Sequence, residues 1–381
     1  MKRPTQIAVI TLFALVIFGP IVAFAAGFRS DPIENTDIAE VPEVSASNLV
    51  DEDFYAGITE AYTDRVPLRD KAITADAWID LEVFGDSPSP TVGIGADNWL
   101  FHADTYQPMC NDVDIAAATG TMRNLTEVIA AAGKPVAFVI APDKGGIYRD
   151  HLGQLDASFD CARERSAALQ AALAADPPVG WIDAWTAARD LRDTTDELIY
   201  YPHDTHWTTF TAVRISEMII NQLEAGAWDE SGTRFIENRP YNGDLANLMG
   251  LPRTENVNRY DVNRKDVTLD RLESGQRKIT KYVAQVENDA TVLPGRALVI
   301  HDSFGNPLQR PLANYFEETW FVHWRLLKLG IVDFDQLAEI AADSNYVVIE
   351  VVERLSYERF LIDFPEIDVA MGKGLDLSSP D

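Results

Sequence analysis

An α/β fold with a mostly parallel central sheet is the expectation for this chain, and three observations support it. Short apolar runs recur at residues 135–140, 179–182, 297–300 and 346–352. They are too short for independent helices and lack alternation, as strands buried on both faces require. Longer stretches with helical spacing, at 115–132, 158–175, 208–223 and 334–342, lie between them, which is the alternation of an α/β protein. The 381 residues, 46% hydrophobic, can bury a sizeable core as one large domain or two small ones.

Taken in order, Lys2 and Arg3 precede an apolar segment at 7–26, and Ala23-Phe-Ala25 has the small-x-small form of a signal-peptidase site. Export is expected. The segment is long enough to span a bilayer, so a cleaved signal peptide over 1–26 and an uncleaved membrane anchor both fit. Residues 27–53, acidic and rich in Ser and Pro, read as a flexible linker. From Phe54, the spacing of Ile58, Tyr62, Ile73 and Trp78 predicts one or two amphipathic helices, broken at Val66-Pro67. One domain is expected over 54–370. Short runs at 91–94 and 98–102, separated by Gly95-Ala-Asp97, predict a tight turn. Trp99 and Phe101 there read as core aromatics or a sugar-binding surface, and His102 as a polar strand end.

A formal charge of -28 excludes a nucleic-acid partner, because phosphate binding needs clustered Lys and Arg. Cys110 and Cys161 are the only cysteines. In an exported chain a disulfide between them is the expectation, two separate buried thiols being the alternative. Neither belongs to a Cys-x-x-Cys pair, so no zinc site is expected from them.

The chemistry gathers at two segments. The run at 297–300 ends abruptly in His301, Asp302 and Ser303, beyond the carboxyl end of a strand, where open α/β sheets build their sites. A serine hydroxyl needs an imidazole to take its proton and a carboxylate to orient that imidazole. Asp204 and His206, in Tyr201-Pro-His-Asp-Thr-His-Trp207, offer that pair at the start of the 208–223 helix. Alone, Asp-Ser-Phe-Gly is an ordinary turn and Asp-x-His a chance pair. Together they shift the odds towards an activated serine. The run 198–201 reads as a strand, Trp207 as packing beneath the loop, and 320–324 as a strand that brings His323 and Arg325 to the rim. Lys144, after the 135–140 strand, either attracts a substrate carboxylate or pairs with Asp143. Glu353 and Arg354 read as an ion pair at the end of the last strand. Residues 224–293 read as an insertion of short strands and turns, since a bare loop that long is improbable.

The chain resembles the alginate O-acetyltransferase family of AlgJ and AlgX. The matching stretches are Asp64-Arg-Val-Pro-Leu-Arg69, Val92-Gly-Ile-Gly-Ala-Asp-Asn-Trp-Leu-Phe101, Ala141-Pro-Asp-Lys144, Asp204-Thr-His-Trp207, Gly243-Asp-Leu245, His301-Asp-Ser-Phe-Gly305 and Val351-Val-Glu-Arg354. The Asp-Thr-His-Trp and Asp-Ser-Phe-Gly segments are the specific part. The resemblance implies an SGNH-hydrolase-like three-layer sandwich with circularly permuted motif order. It implies a polysaccharide O-acetyltransferase in which Ser303 carries the acetyl group, His206 is the base and Asp204 orients it. No cofactor is implied: the donor is a membrane-bound acyltransferase partner or a small acetyl ester, the acceptor an exported, alginate-like polysaccharide, and the place the periplasm. The family's glycine before Asp-Ser is His301 here, and Arg354 falls near the position of the hydrolases' oxyanion-hole asparagine. The Ser303 backbone N–H is the expected oxyanion donor. The densest basic region, 253–281, would give an anionic polymer its groove unless those cations pair with the interleaved acids.

Three alternatives stay open on the residues. An acetyl-esterase would use the same Ser303, His206 and Asp204 with water as acceptor. A metallohydrolase would draw on His203, Asp204, His206, His301 and Asp302. A non-catalytic polysaccharide-binding protein would present Trp99, Trp207, Trp320 and Trp324 as stacking faces.

Overall fold

The computed structural model describes residues 3–30, 39–45, 48–106, 113–273, 275, 277–288 and 290–375. The chain divides into two compact units, one of residues 1–93 with 242–254, the other of 94–241 with 255–381.

In the first unit, the helix Arg3–Ala25 contains a span, Pro4–Ala25, whose 22 residues are long and apolar enough to cross a membrane. Phe24 near its end meets Tyr62 edge to face at 5.1 Å. Tyr62 belongs to the helix Glu52–Arg65, whose Asp51 cap accepts the Asp53 N–H. Pro67 forces Val66 into an extended conformation and ends that helix. Arg69–Ile79 then starts anew after Leu68, which sits at φ 69°. The predicted break is therefore where the sequence placed it. Both helices group with the N-terminal helix.

Eleven strands occur among the described residues: β1 (Val92–Ile94), β2 (Leu100–His102), β3 (Val136–Ala141), β4 (Trp181–Ile182), β5 (Thr233–Asn242), β6 (Thr254–Val262), β7 (Val267–Glu273), β8 (Thr280–Val286), β9 (Leu293–His301), β10 (Phe316–His323) and β11 (Tyr346–Val352). In the second unit, seven of them form the central sheet in the order β4-β3-β11-β9-β10-β8-β7. From β4 to β10 every neighbour is parallel. β8 then pairs antiparallel with β10, and β7 with β8. The insertion thus does hold short strands, but β7 and β8 widen the main sheet rather than stand apart from it. β5 and β6 make a separate two-stranded ribbon.

Strand side chains alternate between faces, and each face finds its own layer. Ala137, Val139, Val299 and Val348 pack with Ile215, Ile219 and Leu223 of the helix Thr209–Leu223. Phe138, Ile140, Leu298 and Ile349 pack instead with Met122 and Leu125 of Ile115–Ala131, Leu169 of Asp160–Ala175 and Leu337 of Phe334–Ala342. Helix, sheet and helix make the expected three-layer sandwich.

One local expectation fails. Residues 198–201 form no strand: Tyr200 makes a single bridge to Trp207, and the carbonyls of Leu198 and Ile199 are taken by Thr208 and Thr211 hydroxyls at 2.7 and 2.8 Å. The run is apolar because the loop is buried, and its polar groups are met by side chains. The strand read at 320–324 is present as the end of β10, which stops at His323; Trp324 and Arg325 belong to the helix Trp324–Lys328, which His323 caps by accepting the Arg325 N–H at 3.0 Å. The Cys110–Cys161 pairing rests on Cys110, outside the described residues.

Candidate active site

β9, between β11 and β10, delivers Asp302 and Ser303 to the carboxyl edge of the sheet. The turn that follows is anchored from beneath. Asp302, buried, uses Oδ1 to accept the Phe304 N–H at 2.9 Å and Oδ2 to accept the Val352 N–H at 2.6 Å. Its own N–H donates to Glu350 Oε2 at 3.1 Å. Ser303 thus opens the short helix Ser303–Leu308, half-buried, with its backbone held on both sides.

The second segment is the loop before Thr209–Leu223. His206 Nδ1 lies 2.8 Å from Asp204 Oδ1, and the His206 N–H donates to the same oxygen at 2.8 Å. Asp204 is 2% exposed, and its Oδ2 accepts from the Tyr241 hydroxyl at 2.8 Å. With Nδ1–H given to the carboxylate, the neutral imidazole keeps its lone pair on Nε2. Lys144, also buried, donates to the carbonyls of Tyr201, Pro202 and Asp204 at 3.1, 3.2 and 2.6 Å. The loop is pinned by a cation that never faces solvent.

The two segments meet through residue 304. Trp207 Nε1 donates to the Phe304 carbonyl at 3.0 Å, and the His206 ring lies 4.9 Å from the Phe304 ring. Two motifs 97 residues apart are thereby joined next to Ser303.

Residues 92–315 match the family described as an SGNH hydrolase-like domain, acetyltransferase AlgX. The chain belongs to this family. No match occurs among curated proteins. Among solved structures, the O-acetyltransferase domain of Pseudomonas putida AlgJ aligns at 18% identity and a TM-score of 0.46, over 74% of this chain and 99% of that one. Pseudomonas aeruginosa AlgX aligns at 17% identity and 0.44, over 68% of this chain and 61% of that one. Bacillus cereus PatB1 aligns at 16% and 0.48, over 70% and 96%.

The structure redistributes the rim residues of this AlgX-family domain. Lys144 was expected to meet a substrate carboxylate or Asp143; it holds the Asp204 loop instead. Asp143 pairs with Arg354 at 2.7 Å, which also displaces the expected Glu353–Arg354 pair. Arg354, with its guanidinium 5.4 Å from the Phe304 ring, is a cation beside the Ser303 turn. Glu353 accepts from the Asp143 N–H and Trp185 Nε1, each at 3.0 Å, and burial pushes its carboxyl up to about 7. Arg325 is exposed on its helix. Of the proposed stacking faces, Trp99, Trp207 and Trp324 are 6%, 1% and 0% exposed, so they are core residues. Trp320 lies under Lys281 and Arg296 at 4.0 and 4.1 Å. Within the basic region, Arg259 and Lys281 pair with Glu237 and Glu273.

Of the five potential metal ligands, Asp204 and His206 meet at 2.8 Å, and the other three are engaged elsewhere. Both Asp302 oxygens accept backbone N–H groups, His301 Nδ1 meets the Asp302 carbonyl at 2.6 Å, and His203 Nδ1 lies 3.8 Å from Glu255 Oε2. Tyr241 and Glu350 are the contributors that the sequence motifs did not single out. Gly243-Asp-Leu245 gave only an indirect signal for the first. A lone carboxyl in the apolar run of β11 marked the second.

His301 packs directly against Gly305. A Cβ at residue 305 would lie 2.4 Å from His301 Cβ and 2.7 Å from Nδ1, so the imidazole fits only because residue 305 has none. Burial pushes the His301 pKa down, and the neutral ring donates Nδ1–H to the turn. Gly305→Ala is expected to cost about 1–3 kcal/mol by overpacking and to slow any reaction at Ser303. The double variant His301→Gly with Gly305→Ala is expected to recover most of that loss. Denaturant unfolding of the four proteins in a cycle checks both statements.

Proposed function

We propose that the chain is a polysaccharide O-acetyltransferase that works by double displacement at Ser303. In the first half, Ser303 Oγ attacks the carbonyl carbon of an acetyl donor as His206 Nε2 takes its proton. Asp204 stabilises the imidazolium, and the Ser303 backbone N–H faces the developing oxyanion. The tetrahedral adduct expels the donor's leaving group, which receives the proton from His206. In the second half a sugar hydroxyl gives its proton to His206 and attacks the acetyl-serine ester; the adduct breaks the bond to Ser303 Oγ, which takes the proton back from His206 as the O-acetyl sugar leaves. No electrons change hands, and no cofactor is required.

The observation that carries this proposal is the Asp204–His206 contact of 2.8 Å set against Phe304, the residue after Ser303. Family membership supports acetyl transfer over other chemistry. A donor delivered by a membrane-bound acyltransferase, an alginate-like acceptor, and a periplasmic place held by residues 7–26 belong to the same proposal.

The test is intact-mass measurement after exposure to an activated acetyl ester, followed by addition of oligosaccharides. Wild type is expected to gain one acetyl group and pass it to sugar, and Ser303→Ala to gain none. Loss of the label to water whatever sugar is offered would make the protein an esterase. A folded wild type that takes no label would sink the proposal.

A further inference from the structure

Beneath the nucleophile turn lies a carboxyl that the acyl-transfer chemistry does not use. Glu350 is the third residue from the end of β11, with Val348 and Val352 on the same face, and is 0% exposed. Its register neighbour on β3 is Val139. An ionised carboxylate there would lose its hydration with little that is polar to replace it. Glu350 Oε2 accepts the Asp302 N–H at 3.1 Å, and its carboxyl also faces the Asp302 carboxylate. Two carboxyls in contact cannot both ionise cheaply, so one proton serves the pair.

Resting on the acyl-transfer proposal, we propose that Glu350 is a positioning residue: it donates its carboxyl proton to the Asp302 carboxylate, and this shared proton holds the Ser303 turn in its reactive geometry. Asp302 is the joint of that turn. Its two oxygens fix Phe304 and Val352, and Glu350 fixes its N–H. Removing the proton would set two negative charges against each other at the one place where Ser303 and its N–H are aimed. The turn relieves that repulsion by moving away.

Besides Asp302, the Gly305 backbone also hydrogen-bonds the Glu350 carboxyl. β3 is apolar from Val136 to Ala141, and the face of Thr209–Leu223 turned to the core brings only apolar and hydroxyl side chains. β9 brings His301, which is buried and meets the Asp302 carbonyl. Past the end of β11 stand Glu353, bonded to the Asp143 N–H and Trp185, and Arg354, paired with Asp143 and attracting Asp302 from a distance. Burial, with the Asp302 charge second, pushes the Glu350 carboxyl well above its usual range. Folding therefore binds a proton that the unfolded chain releases. Stability from this group is full at acid pH, below the ordinary carboxyl range, and is lost as pH rises towards the folded value.

The experiment compares wild type, Glu350→Gln and Glu350→Leu in the rate of Ser303 acetylation by an activated acetyl ester and in unfolding stability, both across pH. Glutamine accepts the Asp302 N–H and donates to its carboxylate without a titratable proton. Wild type is expected to show an alkaline fall in rate. Glu350→Leu is expected to lose roughly tenfold in rate at every pH, with little change in the KM for the ester. Glu350→Gln is expected to restore that rate and to remove the alkaline fall. It should also lose less stability between acid and alkaline pH than wild type; the difference isolates Glu350 from Glu353, which contributes the same sign in all three proteins. An alkaline fall in Glu350→Gln equal to that of wild type would overturn the inference, as would a folded Glu350→Leu that acetylates at the wild-type rate. If wild type takes no acetyl group, the acyl-transfer proposal fails instead. The stability comparison then decides the shared proton alone, equal pH dependence in wild type and Glu350→Gln being the negative result.

Discussion

Asp204→Asn is expected to slow acetylation of Ser303 by roughly 10³- to 10⁴-fold while leaving the fold intact. The cause is a tautomer. Asp204 Oδ1 accepts both the His206 N–H and the ring Nδ1–H, each at 2.8 Å. An asparagine at 204 must satisfy the Tyr241 hydroxyl, the His206 N–H and the imidazole with one oxygen and one amide group. An amide that turns its NH₂ to the ring calls for a bare Nδ1, which puts the ring proton on Nε2, where Ser303 needs an acceptor. Tyr241→Phe removes only the hydrogen bond to Oδ2 and is expected to cost less than tenfold, in line with a single neutral hydrogen bond. Single-turnover labelling over time checks both. Equal losses in the two variants would mean that the carboxylate does no more than hold the loop.

Lys144→Met is expected to lower stability by about 3 kcal/mol or more and to damage the site further than the fold. Three carbonyls of one short loop depend on its ammonium group, at 2.6 to 3.2 Å. Methionine fills the volume but leaves the Tyr201 and Asp204 carbonyls without that donor, while the Pro202 carbonyl keeps the Leu100 N–H at 3.0 Å. The loop would open towards water, carrying Asp204 and His206 away from Phe304. Denaturant unfolding measures the first effect and Ser303 acetylation the second. A variant with wild-type stability would show that water replaces the ammonium easily. That outcome would also return Lys144 to the list of groups that could serve substrate.

Much of the architecture is written in local pattern. β3, β9 and β11 were legible because strands buried on both faces must be continuously apolar, and Thr209–Leu223 because one face alone must be. The misread segments are those where burial and secondary structure part company. Residues 198–201 are as apolar as a strand, but side chains rather than a neighbouring strand take their carbonyls. β7 and β8 show only weak alternation, since half their residues face solvent at the sheet's edge. At the candidate site, Ser303, His206 and Asp204 stood out because the proposed acyl transfer demands those residue types. Their supports did not: Trp207 to Phe304, Tyr241 to Asp204 and Arg354 to Asp143 are contacts over 97, 37 and 211 residues, and no local pattern encodes them.

The order of strands in the sheet also sets a timetable. β3 and β9 are separated by one gap, and the strand that fills it, β11, is the last to be made. A chain emerging from its amino end must hold two long apolar strands apart, both with open edges, until residue 346 arrives. Direct pairing of β3 with β9 is the obvious misstep, and undoing it would be slow because the right contacts are so distant in sequence. The sheet cannot close progressively; it closes at the end, and the Val352 N–H that fixes Asp302 arrives with the closing strand.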